Sequence, residues 1–200
     1  MELSHKKSDR GFVYNMMSKS ANTIMATAEN QEKQLEALID LLCKAVENNR
    51  KFLICGNGGS ATQSQHVAAE LVGRFKKERK AFPAIALTAD MAIVTSLGND
   101  YGFDSIFSRQ VEAYGGNGDI LMVFSTSGKS PNIIHALRMA REKGMNTVSF
   151  VGNHEDDVRD YSDIVIGVPS NDTALIQDVH SVLCHVICGS VELKIAPQTR

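Results

Sequence analysis

No charge of one sign dominates this chain: 21 lysines and arginines stand against 23 aspartates and glutamates, giving a formal net charge of -2 and a pI of about 6.3. The cations are dispersed, so the electrostatic footprint of a nucleic-acid or anionic-membrane binder is missing, and small molecules or further copies of the chain are the expected partners. Long hydrophobic runs are missing as well. None approaches the roughly 18 residues of a membrane span. The polar opening "MELSHKKSDRG" lacks a signal peptide's apolar segment, which leads to an expected cytoplasmic location. Cysteine is scarce: Cys43, Cys55, Cys184 and Cys188 are too few, and too embedded in apolar pattern, for a disulfide framework, so reduced thiols are expected. Cys184 and Cys188 bracket His185 in "HSVLCHVIC", which leaves open a His/Cys zinc site if the side chains share a face. The preferred reading is two small apolar residues on a buried helix. Repeats and low-complexity segments are absent, and 200 residues at 43% hydrophobic content suit one domain spanning 1–200.

What is present changes period along the chain. From about Asn15 to Val46, apolar residues recur at helical spacing, with Leu35, Leu38, Leu41, Leu42, Ala45 and Val46 forming a stripe. After that come five short, nearly continuous apolar runs, "KFLIC", "AIALT", "DILMVF", "NTVSFV" and "DIVIGV", separated by segments long enough for helices. Helices are expected at about Ala61–Phe75, Met91–Leu97, Ser105–Tyr114, Pro131–Lys143 and Thr173–Ile195. The pattern is that of an α/β protein: a three-layer α/β/α sandwich on a five-stranded parallel sheet of flavodoxin-like type, with an N-terminal helical extension. Residues 1–48 connect no strands, so their apolar stripe is expected to meet a second subunit and serve as an oligomerisation region.

Two loops follow strands of this sheet. In "CGNGGSATQ", Asn57, Gly58, Gly59 and Ser60 lie between a strand and a helix. Glycines turn backbone amides toward a ligand, and a helix N-terminus favours an anion. The Gly-Lys-Ser/Thr ending of a Walker loop is missing, and Gly56, Gly58 and Ala61 match a dinucleotide fingerprint only loosely. In "DILMVFSTSGKSPN", Ser125, Thr126, Ser127, Gly128 and Ser130 precede a helix opening at Pro131. Hydroxyls and amides together suit the oxygens of a phosphate monoester, and both loops lie at the carboxyl ends of parallel strands. A sugar phosphate fits two such loops better than a dinucleotide does. Each loop also has a plainer reading, a serine cap with a serine turn.

His66 and Glu70, four apart on the helix leaving the first loop, share one face and can share a metal ion or a proton; a solvated surface pair has the same spacing. Arg74, one turn on, is placed to meet a carboxylate or the substrate. His5, His135 and His154 have no partners at telling spacing and read as solvated or structural.

The segments "CGNGGS", "QHVAAELVGR", "LGNDYGFDSIFSRQVEA", "STSGKS", "AREKGM" and "IQDVHSVLCH" resemble, together and in order, the SIS (sugar isomerase) domains, and within them the phosphoheptose isomerase family. The resemblance implies a homotetramer with active sites near subunit interfaces, one divalent zinc ion per subunit, and conversion of sedoheptulose 7-phosphate to D-glycero-D-manno-heptose 7-phosphate. It makes Asn57, Gly58, Gly59, Ser60, Asn99, Asp100, Ser125, Thr126, Ser127 and Ser130 substrate contacts, and His66, Glu70, Gln177 and His185 the metal or catalytic set. The loop "SNDTALIQ" departs from the family in being shorter and lacking the Asp-Arg pair before Ile-Gln.

Aldose–ketose isomerisation needs a base and an acid on either side of an enediol. Glu70 is the expected base and His185 the expected acid, with Glu70 also a metal ligand. Gln177 and His185 are eight residues apart, about 12 Å along a helix, so sharing one ion is strained. Either one of them reaches a site built mainly by another chain, or His180 replaces Gln177. The alternatives to an isomerase are a non-catalytic SIS protein that binds a protein partner such as a replication initiator, and a phosphosugar sensor. A dinucleotide enzyme fits least, because Asp90 falls too late to end the second strand.

Overall fold

A computed structural model of the chain describes residues 11–195. All five apolar runs form strands: β1 Phe52–Gly56, β2 Ala84–Ala86, β3 Ile120–Ser125, β4 Asn146–Val151 and β5 Ile164–Gly167. Every pairing is parallel, in the order β2-β1-β3-β4-β5. The runs read as continuous because the sheet is covered on both faces. Alternate residues of one strand enter different cores: Phe52, Ile54, Ile120, Met122 and Phe124 face one side, and Leu53, Cys55, Leu121 and Val123 the other.

The helices are α1 Phe12–Glu47, α2 Gly59–Val72, α3 Met91–Tyr101, α4 Ser108–Tyr114, α5 Pro131–Glu142, α6 Asp156–Arg159 and α7 Thr173–Ile195. The first core takes residues of α1, α2 and α7, and the second those of α4, α5 and α6. The segment expected as one helix from Ser105 begins instead as a 3-10 turn, Phe103–Ser105, before α4. The four-residue α6 has no periodic signal in the sequence.

The stripe on α1 finds its partner within the chain, which corrects the expectation that a second subunit covers it. Leu38, Leu42 and Ala45 are buried in the first core with Leu35, Leu41 and Val46 packed around them, because α1 lies along α7 and over β5. Ser20 donates to Asp178 and Lys194 to Asp40, both at 2.6 Å, so the two helices run parallel. The start of α1 remains in solvent: Phe12 is 79% exposed, with Val13 and Met17 close behind. Residues 1–10 of the expected 1–48 region, His5 included, lie outside the described residues.

A second correction concerns α7. Its mean hydropathy over an 18-residue window reaches 1.4, so by length and composition it is apolar enough to cross a membrane. Its Gln, His and Ser residues interrupt every run, which hides this from a search for unbroken apolar stretches. Ile176, Val179, Leu183, Ile187 and Val191 are spent on the first core, which accounts for the composition.

Candidate active site

Strand order reverses between β1 and β3, and open parallel sheets bind ligands outside the carboxyl ends of strands at such a point. Gly56 of β1 stands beside Phe124 of β3, so the two small-residue loops emerge side by side. In the first, Gly58 has φ 57°, which an L side chain rarely adopts, and it allows α2 to begin at once at Gly59. Gly59 lies close against α7: a Cβ there would lie 2.6 Å from Nε2 of Gln177 and would displace that amide.

In the second loop Ser125 is buried and its Oγ accepts the Gly128 N–H at 3.2 Å, while Ser127 Oγ accepts the Lys129 N–H at 3.3 Å. These are serine turns. The helix-cap half of the plainer reading fails, however. Neither α2 nor α5 takes a side-chain cap bond among the described residues, although Ser60 lies in the first turn of one helix and Ser130 immediately precedes the other. The Ser130 hydroxyl and Thr126 are partly exposed at the loop, whereas Ser60 is buried beneath Gly56.

The two loops are tied together. Asn57 Nδ2 donates to Asn132 Oδ1 and Asn132 Nδ2 donates to Asn57 Oδ1, each at 2.9 Å, with Asn132 only 1% exposed. Sequence reasoning missed Asn132. Its signal was the Asn directly after the "KSP" that ends the hydroxyl loop, read there as part of a helix start.

From these loops α2 and α7 run parallel and in step. Gly59 lies against Gln177, Gln63 Nε2 donates to Ser181 Oγ at 2.6 Å, and His66 meets His185. This register brings together three of the expected residues. His66 Nε2 is 3.3 Å from Glu70 Oε1 and 3.3 Å from His185 Nε2, and all three ligand atoms lie within 4.8 Å of one another. Ligand atoms bound at roughly 2.0–2.1 Å to one tetrahedral zinc stand about 3.3–3.4 Å apart, and two imidazoles with a carboxylate are a catalytic zinc donor set. Two of the three spacings match this value and the third, Glu70 to His185, lies within 4.8 Å, so a small closure of the side chains lets the trio take a divalent ion; its members are half-buried or exposed, within reach of a substrate. The His185 ring lies edge-on to His66 and stacks on Phe75, centroids 5.3 Å apart and planes at 22°.

Other expected residues lie elsewhere. Gln177 is two turns before His185, with its amide at the start of α2 beside the phosphate-type loop. Within one chain the trio thus gathers without Gln177, in keeping with the separation along the helix that strains one ion holding both. His180, the alternative ligand, is fully buried against Phe124 and Phe150, and neither ring nitrogen has a hydrogen-bond partner among the described residues. Burial pushes its pKa down to about 4. Cys184 and Cys188 face the core, where burial pushes their thiols up to about 12, while His185 points outward; no His/Cys face exists. Arg74 meets Glu78 at 3.5 Å in solvent. Asn99 donates to Asp100 at 2.7 Å on the exposed end of α3, and neither lines the cavity of about 170 Å³ beside the first loop, whose walls include Asn57, Gly58, Thr88, Met91 and Phe103.

A family model described as SIS domain matches residues 16–152. The chain is 49% identical over 164 residues to a phosphoheptose isomerase of Synechocystis, covering 82% of this chain and 84% of that one. It is 46% identical over 178 residues to that of Burkholderia pseudomallei, covering 88% and 90%. Its fold superposes on a phosphoheptose isomerase structure from Francisella tularensis with a TM-score of 0.87 at 34% identity, over 90% of this chain and 96% of the other. The corresponding enzyme from Neisseria gonorrhoeae gives 0.85 at 35%, over 90% and 97%.

Proposed function

As a member of the SIS domain family, among its phosphoheptose isomerases, the chain is an aldose–ketose isomerase, and we propose that it interconverts sedoheptulose 7-phosphate and D-glycero-D-manno-heptose 7-phosphate through the His66, Glu70 and His185 trio. The observation that carries this reading is the placement of the trio, with His66 3.3 Å from both Glu70 and His185, where α7 meets the helix that leaves one of two tied phosphate-type loops. The loops hold the phosphate through backbone amides and the hydroxyls of Thr126 and Ser130, with Ser125 and Ser127 shaping the turn. With the phosphate at the start of α2, the helix axis sets the distance to the reacting end. Glu70 lies eleven residues on from Gly59, about 16 Å along the axis at 1.5 Å per residue, which sets it toward the sugar's far end and away from its phosphate.

At that end Glu70 removes the proton from C1 of the ketose as the C2 carbonyl becomes part of an enediol, and a proton is then delivered to C2. His185, through a ring nitrogen not engaged by the metal, moves the hydroxyl proton from O1 to O2. Each such positioned group contributes about 10²- to 10⁴-fold. His66, Glu70 and His185 would hold zinc, one ion per subunit, which supplies polarisation of the carbonyl and diol oxygens when bound. Glu70 serves both tasks if Oε1, turned toward His66, faces the ion and Oε2 takes the proton. Gln177, beside Gly59, orients the sugar near its phosphate end in this reading rather than completing the metal set.

The solvent-exposed apolar side chains at the start of α1 support assembly into a homotetramer, with 1–48 contributing contacts and the exposed His185 near a subunit boundary. A cytoplasmic role at the first step of nucleotide-activated heptose biosynthesis completes the proposal. Turnover of a panel of ketose phosphates with and without a chelator tests it: sedoheptulose 7-phosphate should be the preferred substrate, and chelation should abolish activity that zinc restores. Binding without turnover would leave the sensor reading in its place.

A further inference from the structure

The turn after α2 rests on a buried ion pair outside the trio. Arg79 Nε meets Glu192 Oε1 at 3.1 Å, the side chains only 4% and 2% exposed. The Glu192 carboxylate also accepts the backbone N–H groups of Phe75, Lys76 and Lys77 at 2.7, 2.8 and 2.9 Å. Arg79 donates to the carbonyls of Glu70 at 2.7 Å and Leu71 at 2.9 Å, in the last turn of the helix that carries His66 and Glu70, and to that of Gly73, just past its end, at 3.1 Å. Burial alone would raise the Glu192 carboxyl, but the three N–H groups and Arg79 together hold it below the usual range, so it stays ionised.

Replacing a buried ion pair by apolar residues is often neutral or stabilising, so stability alone does not account for this one. Its geometry offers a reason. It satisfies the carbonyl end of α2 at Glu70 itself, and it sets down Phe75 with its ring on His185, whose other contact is the edge of His66. We propose that Phe75, seated by the Arg79–Glu192 pair, is a positioning residue whose ring fixes the plane of the His185 imidazole so that Nε2 faces His66 and Glu70. The inference rests on the role given to His185 above, but it is read out separately from activity.

The test uses Phe75→Leu, which removes the ring from a half-buried position, and Phe75→Tyr, which keeps it. In crystals of the metal-free protein, His185 should leave its wild-type rotamer or lose order in Phe75→Leu and keep its place in Phe75→Tyr. Zinc affinity, measured by competition with a chromogenic chelator, should fall roughly 10- to 100-fold in Phe75→Leu, and Phe75→Tyr should retain most of it. In Phe75→Leu kcat should fall with KM within about threefold, the signature of a lost transition-state contact. Glu192→Gln should weaken zinc binding in the same direction. A Phe75→Leu protein with His185 still 3.3 Å from His66 and wild-type zinc affinity overturns the proposal, as does a Phe75→Tyr protein as impaired as Phe75→Leu. If the wild type turns over no ketose phosphate, the functional reading fails, while the crystallographic and zinc measurements still decide the role of Phe75.

Discussion

Substitution of Asn132 tests the tie between the two loops. The side chain makes two hydrogen bonds to Asn57 and is buried. Asn132→Ala removes both, and at about 1 kcal/mol net each the loss is about 2 kcal/mol, because water can reach the half-buried Asn57 left behind. For a chain of this size that corresponds to a fall in Tm of about 4–8 °C. Asn132→Asp retains an acceptor for Asn57 Nδ2 but sets a carboxylate oxygen against Asn57 Oδ1 at a site only 1% exposed, so its stability loss should be at least as large. It also places a negative charge beside the loops proposed to bind a phosphate dianion, so its KM for sedoheptulose 7-phosphate should rise further than that of Asn132→Ala. Asn132→Asp is therefore expected to be no more stable than Asn132→Ala by thermal unfolding and to have the higher KM by steady-state kinetics. An Asn132→Ala protein with unchanged Tm would refute the tie between the loops, and an Asn132→Asp protein with the lower KM of the two would refute phosphate binding there.

Glu70→Gln should lower kcat by about 10²- to 10⁴-fold with little change in Tm, since the carboxylate is partly solvated; kinetics and calorimetry together check this. Because Glu70 and His185 meet within one chain, oligomers mixed from inactive Glu70→Ala and inactive His185→Ala chains should regain no activity; recovery would place the working pair across a subunit boundary. His180 titrates near 6.5 when unfolded and near 4 in the fold. The unfolded state then binds the proton first, so this contribution to stability is complete above pH 6.5 and is lost as pH falls toward 4. The loss amounts to about 3 kcal/mol at most. His180→Leu should flatten that part of a denaturant-midpoint profile, and an unchanged slope would contradict the assignment.

Strands and their direction were legible because a sheet covered on both faces leaves runs such as "DILMVF" no polar alternation to confuse with a helix. Helix ends were less so. The start of α2 at Gly59 depends on the positive φ of Gly58, and the break before α4 depends on a 3-10 turn that no periodicity announces. The stripe on α1 identified an apolar face without saying what covers it, and α7 of the same chain proved to do so. At the site, the four-residue spacing of His66 and Glu70 was readable. Which of Gln177, His180 and His185 would join them was not, because that depends on the register of α7 against α2, a property of packing. The Asn57–Asn132 and Arg79–Glu192 pairs span 75 and 113 positions, and nothing local marks either one.

The measurement closest to the chemistry is isomerisation of sedoheptulose 7-phosphate in deuterated water, followed by mass spectrometry and NMR of the aldose formed. Deuterium at C2 of the product, present with wild-type protein and reduced with the rate in Glu70→Gln, is the expected result. Full conversion to an aldose that carries no deuterium would contradict proton transfer through Glu70 and an enediol.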